Sequence, residues 1–481
     1  VIASGFRASR LINAGSLPLY ALVGFVTLTF MLGGGARGDI TSLLILRPLA
    51  ALTAAAALFS LSRDHVLAHR YLFAMAGAVI GLAVLHLVPL PPALWTALPG
   101  RDVVVAVERA AGLQSGWRPL TLSPAGGWNA LFSLMVPMAV LLLAVQNKRD
   151  DRRRWLLPMV VIGTFSAFLS LGQLLQGSSG SLYFYDITNS DSPVGLFANR
   201  NHHAVFLACI LPMLGVLALP HRALNDAGQP TPFGRQMVSP LFRLWMAILI
   251  GAFIIPLILV IGSRAGLLTG VLGLAAAAWL YHSGGLSVRT ADKGKTARWT
   301  WVAFGAGVAV LGTLTLVMAR GLAFTRLLSP TDSDQQRQDF WPVVYDATVQ
   351  YLPFGSGSGS FVRAFQIHEP HAMLVPTYVN HAHNDWLEVA MTFGLPGILL
   401  LAVAVFAGAR VGYAAIRDKS ASTRTQTFRR LGVVIMSLLA IGSVGDYPLR
   451  TPALSALFVL ATLWATLPAR EEKVPARQSA Y

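Results

Sequence analysis

FRLWMAILIGAFIIPLILVIGSRAGLLTGVLGLAAAAWLY, residues 242–281, decides the fold. It holds two apolar runs, 242–262 and 264–281, each close to the ~20 residues that carry a helix across a bilayer core. Almost nothing separates them, so they predict a tight hairpin of two membrane helices. Ser263 and Arg264 stand at its turn. An arginine between two such runs costs energy unless it is paired or near water, which marks the turn as a place where chemistry is done.

Runs of this kind recur along nearly the full chain. They read as about twelve spans: 17–35, 40–61, 71–92, 126–146, 155–175, 202–220, 242–262, 264–281, 299–319, 386–408, 431–446 and 452–468. Hydrophobic residues make up 54% of the chain and charged ones 12%, about half the usual soluble share. Continuous helices satisfy their own backbone in lipid, so the class is an all-α polytopic membrane protein. The first span is followed by no small-residue cleavage site and reads as a span, not a cleaved signal. Residues 1–470 form one membrane domain, with a helical periplasmic cap at about 320–385 inserted between the ninth and tenth spans. Residues 471–481 are a cytoplasmic tail.

Charge orients the spans. One side collects about 25 of the Lys and Arg residues against about 11 opposite, the positive-inside pattern. The segments NKRDDRRR (147–154), SVRTADKGKTAR (287–298) and the stretch 408–430 lie on that side, as do both termini. The net charge of +16 therefore reflects topology and anionic membrane lipid rather than nucleic acid, for which no motif is present. A single cysteine, Cys209, excludes an intramolecular disulfide and a cysteine metal cluster.

Three segments face the other side at appreciable length: about 93–125, 176–201 and 320–385. Within the last, DQQRQDFWPVVYDATVQY (334–351) predicts an amphipathic helix with Phe340, Trp341, Val344 and Tyr351 on its apolar face. The glycine-rich PFGSGSGSF (353–361) that follows reads as a flexible turn. NHAHNDWLEVAMTFGLPG (380–397) closes the cap. His383 and Asn384 stand at the mouth of the tenth span, and Gly394-Leu-Pro-Gly397 lets that helix kink or pack closely. Polar groups pressed against an apolar helix suit a reaction at the membrane surface on a lipid-borne substrate.

His383-Asn384, nine residues, then Gly394-Leu-Pro-Gly397 resembles the signature of the O-antigen ligase family. GLFANRNHHAVFLACILPM (195–213) resembles its Gly-x-Phe-x-Asn-x-Asn segment, GSRAGLLTG (262–270) its Ser-Arg-Gly element, and 337–361 the stretch leading to its Pro-x-x-Gly-x-Gly turn. The pieces extend over about 195–400. Ala265 departs from the glycine that often follows Ser-Arg, and Arg200 from the residue often found there. The superfamily includes O-antigen and exopolysaccharide polymerases. The resemblance implies a bacterial inner-membrane glycosyltransferase with a periplasmic active site. The implied donor is a glycan on undecaprenyl pyrophosphate. The implied acceptor is lipid A-core for a ligase, or a growing glycan for a polymerase.

That chemistry needs a base and cations. His383 is expected to take the proton of a sugar hydroxyl, and a single displacement would invert the anomeric carbon. Arg264, Arg200 and Arg337 are expected to neutralise the leaving pyrophosphate with their planar forks; Arg326 and Arg363 are weaker candidates. No metal and no cofactor is then required. Asn199, Asn201, Asn384 and His381 are substrate-binding candidates, with helix capping an equal reading for Asn384.

Two other classes compete. His381-x-His383-x-Asp385 has metal-ligand spacing and would suit a metallohydrolase. Twelve spans would suit a transporter or flippase, although the polar cues cluster at loop–helix junctions instead of paired broken helices.

Overall fold

The computed structural model describes residues 17–178, 180–219, 240–284, 332–374, 378–418 and 420–469, with the backbone alone for 240 and 332–338. The expected ninth span, the first part of the cap with Arg326, and the 471–481 tail lie outside the described residues. Eight described helices are long and apolar enough to cross a bilayer, and three shorter apolar ones accompany them.

The first half of the chain runs α1 (Leu17–Leu32), α2 (Leu43–Ser60), α3 (Arg63–Ala68) and α4 (Arg70–Leu85). A loop region follows with α5 (Pro92–Trp95), α6 (Asp102–Ala110) and a short ladder of β1 (Pro89–Leu90) on β2 (Arg118–Pro119). The fourth span is split into α7 (Pro124–Ser133) and α8 (Met135–Val145). Pro137 has no N–H for the Ser133 carbonyl, which accounts for a break at Leu134. Then come α9 (Arg149–Arg154), α10 (Leu156–Gln176) and α11 (Arg200–Leu217). The opening hairpin is α12 (Pro240–Ile261) and α13 (Arg264–Ser283), joined by two residues as expected. The cap contributes α14 (Asp332–Tyr351) and α15 (Phe361–His368). The chain finishes with α16 (Asp385–Arg417), α17 (Thr423–Gly445) and α18 (Pro452–Ala465).

Helix α11 is the centre of the bundle. All but a few of its residues are buried, including the head residues Asn201, His202 and His203. It packs closely on α13 because glycines face it: a methyl at Gly266 would stand 2.3 Å from Ala204 Cβ, and one at Gly273 2.5 Å from the Ala208 carbonyl oxygen. Small residues at this seven-residue interval let two helix backbones approach. The basic end is also folded. Arg152 donates to the carbonyls of Asn147 and Val145, capping the C-terminus of α8, and Arg153 donates to Thr425 Oγ1.

The glycine-rich segment 353–361 is not a flexible turn. Ser356, Ser358 and Ser360 are fully buried, and the reason is a break in α16. Gly394 has φ +59 inside that helix, and Pro396 has no N–H. The Leu395 amide donates to the Pro353 carbonyl instead of Met391, so the Met391 and Thr392 carbonyls lose their helical partners. The amides of Ser356 and Gly357 supply them, each at 2.9 Å. Gly355 touches this seam at φ +81, where a side chain would meet the Thr392 carbonyl at 2.6 Å. The Gly-Leu-Pro-Gly kink is thus a socket that receives the cap, and His86 completes it by accepting from the Ser358 amide at 2.9 Å.

Candidate active site

The last two spans are joined by Asp446-Tyr447-Pro-Leu-Arg-Thr451, and this link forms the floor of the site. Asp446 is 1% exposed. Its Oδ2 receives the side-chain amides of Asn199, at 3.2 Å, and Asn201. Its Oδ1 accepts from the Tyr447 amide at 2.9 Å. The same oxygen lies 3.3 Å from His383 Nδ1 and 3.5 Å from His202 Nε2, in ion-pair range though off line for a hydrogen bond. Burial alone would raise this carboxyl. The two imidazoles outweigh it and hold Asp446 well below the ordinary carboxylate range.

Local sequence explains why these groups meet. Asn199 is the N-cap of α11, its Oδ1 accepting from the Asn201 amide at 2.8 Å. The cap fixes Asn201 and His202 in the first turn. It also aims the positive end of the most buried helix at the carboxylate.

His383 stands in the left-handed region at φ 49, the only described non-glycine residue to do so. Its neighbours hold it there. Trp341 of the cap donates to the Ala382 carbonyl at 2.8 Å, and the Ala382 amide donates to Glu388 at 2.9 Å. Asn384 caps α16 by accepting from the Leu387 amide at 3.1 Å. A strained residue gripped from both sides by hydrogen bonds is a pre-set one. Glu388 also meets His381 Nδ1 at 3.0 Å and Arg450 at 3.1 Å, and Arg450 reaches Asp385 at 2.7 Å. The Tyr447 ring lies among three imidazoles, with centroids 4.4 Å from His381, 4.9 Å from His202 and 4.9 Å from His383. Phe340 of the cap covers His383 from 6.3 Å.

The three residues with metal-ligand spacing turn to different partners. His381 turns to Glu388, His383 to Asp446 and Asp385 to Arg450. Among the described residues no group of three potential ligands gathers.

Arg200 and Arg264 open helices whose first turns border this floor. Arg264 opens α13 and is exposed, after Ser263 has capped the helix by accepting from the Gly266 amide. Its neighbour Ala265 faces Gly445, where a methyl would stand 3.8 Å from Ala265 Cβ. The first turn of α13 thus borders the link that carries Asp446, and the extra methyl of Ala265 has room. Arg200 opens α11, its guanidinium 3.5 Å from Ser192 Oγ. Arg337 lies on α14 with its side chain outside the described residues, and exposed Arg363 donates to Gln366.

Residues 242–402 match the O-antigen ligase family. Over these residues, about a third of the chain, the protein resembles the O-antigen ligase and polymerase superfamily. No curated protein matches it in a direct comparison. The O-antigen ligase region covers Arg264, the cap from 332, His381, His383 and Glu388. Asp446, Tyr447, Arg450 and the Asn199–His203 segment lie outside it. Of these, Asp446, Tyr447 and Arg450 were not read from the sequence, nor was Glu388 within the matched region. An acid in a six-residue link between apolar spans was the available signal for Asp446, and an acid one turn inside a membrane helix was the signal for Glu388.

Proposed function

We propose that the chain is a membrane glycosyltransferase. It moves a glycan from undecaprenyl pyrophosphate to an acceptor on the periplasmic face of the inner membrane, in the manner of an O-antigen ligase acting on lipid A-core. The observation that carries the proposal is a buried carboxylate, Asp446, 3.3 Å from Nδ1 of the strained His383, at the bundle end bordered by Arg264.

With a carboxylate facing Nδ1, the neutral imidazole carries its proton there and presents Nε2 as the base. The acceptor hydroxyl gives its proton to Nε2 as its oxygen attacks the anomeric carbon. The bond from that carbon to the pyrophosphate oxygen breaks from the opposite side, so configuration inverts. Asp446 stabilises the imidazolium as it forms. Arg264 and Arg200, with Arg337 from the cap, balance the charge left on the pyrophosphate. Asn199 and Asn201 act through Asp446, and Glu388, His381 and Arg450 hold the turn that presents His383. A polymerase would use the same steps with a growing glycan as acceptor. Deletion in the host, with surface glycan sized on a gel, separates the two: free lipid-linked polymer marks a ligase, and single-repeat glycan marks a polymerase. Unchanged surface glycan in the deletion strain would reject both.

A further inference from the structure

Helix α6 is turned inside out. Val103, Ala106, Val107 and Ala110 recur at three- and four-residue spacing and fall within about 100° of its circumference. All four are exposed, and Val103 and Val107 are 49% and 62% accessible. The stripe continues beyond the helix with Leu113 at 61% and Trp117 at 69%. Glu108 points the opposite way. It is 4% exposed, pairs with Arg118 and accepts from Ser115 Oγ at 2.9 Å. A short helix facing water would place its acid outward and its valines inward.

The surroundings show what covers the stripe. The loop leaves the end of α4, where Leu85 and Val88 are exposed, and returns at the start of α7, where Trp128 and Phe132 are exposed. These are lipid-facing ends of two spans, and the α6 stripe continues their surface. Nine residues extend about 14 Å, too short to cross a bilayer. Asp102 and Arg109 are exposed beside the apolar arc, where a helix lying in the interface places its charges.

We propose that α6, with Leu113 and Trp117, lies in the bilayer interface on the side of the active site. Its stripe is sunk about 5–10 Å into the headgroup and acyl boundary. The other face of this element supports the cap. Gly100 packs beneath the Tyr351 ring, and Arg101 donates to the Leu120 carbonyl with its guanidinium 5.8 Å from the Tyr351 centroid. The membrane seat of α6 therefore sets the height of the cap that covers His383.

Cys209 is the only cysteine and is buried, so Cys209→Ser allows single spin labels through Val103→Cys, Val107→Cys, Leu113→Cys, Asp102→Cys and Arg109→Cys. In proteoliposomes, oxygen collisions should exceed nickel-chelate collisions several-fold at 103, 107 and 113, and the ratio should fall at 102 and 109. Dominant nickel-chelate contact at the stripe, meaning water, would overturn the proposal. So would low contact with both reagents, meaning a protein cover. A second measurement avoids cysteine variants: brominated lipid should quench emission of the natural chain more than that of Trp117→Phe. Equal quenching would contradict the assignment.

Discussion

Asp446→Asn keeps the shape of the side chain and removes its charge. In the folded protein Asp446 Oδ1 lies 3.3 Å from His383 Nδ1. At an effective dielectric of about 20, a full charge on the imidazole at that distance is stabilised by about 5 kcal/mol. That charge develops only as the acceptor loses its proton, so the loss falls on turnover. An asparagine oxygen still faces the ring, and its dipole retains part of the effect. The expected outcome is a fall in kcat of about 10²- to 10³-fold with donor affinity near normal. The assay is transfer of labelled lipid-linked glycan to acceptor by purified protein in vesicles, resolved on a gel. The melting profile in detergent checks folding, because the asparagine amide also disturbs the contacts with Asn199 and Asn201. A well-folded Asp446→Asn protein with normal turnover would refute the reasoning, since an idle carboxylate has no reason to be buried between two histidines.

Three further outcomes follow from the same geometry. Arg264→Lys keeps the charge but loses the planar fork, so transfer should fall substantially, and Arg264→Ala should fall further and weaken donor binding in a lipid-linked glycan titration; equal activity of all three proteins would remove Arg264 from the site. Because arginines are assigned the leaving charge, transfer should survive EDTA, and complete loss restored by a divalent ion would count against that assignment. His86 is buried and accepts from the Ser358 amide at 2.9 Å, so His86→Ala should loosen the seam and speed limited proteolysis of the cap, while His86→Asn, which keeps an acceptor, should change it less; equal proteolysis of all three proteins would mean that His86 does not govern the seam.

Much of the fold was legible because bilayer thickness imposes it. The hairpin at 262–264 and the start of α16 at the Asn384 cap fall where apolar runs and capping residues predict, and α11 begins two residues before its apolar run. The amphipathic face of α14 was legible too, and Phe340, Val344 and Tyr351 are buried. The glycine-rich segment was misread because Gly and Ser are common in mobile turns. Its order comes from two carbonyls released by Gly394 and Pro396, a debt that only the folded seam reveals. The site was half legible. His383 was marked by its place before an apolar helix, but Asp446 is 247 residues from Asn199, and their hydrogen bond exists only when α11 and α17 are packed. The inverted face of α6 was open to reading from its spacing, but which side faced outward was fixed by the Glu108–Arg118 pair.

The most direct measurement is single-turnover transfer by His383→Ala protein in vesicles, with insertion and melting verified against the natural chain. His383 lies in the turn before α16 and outside the apolar core, so the variant should insert normally. Its rate should fall by about 10² to 10⁴, the range expected for losing a general base. A correctly inserted His383→Ala protein that transfers glycan at the natural rate would contradict the account.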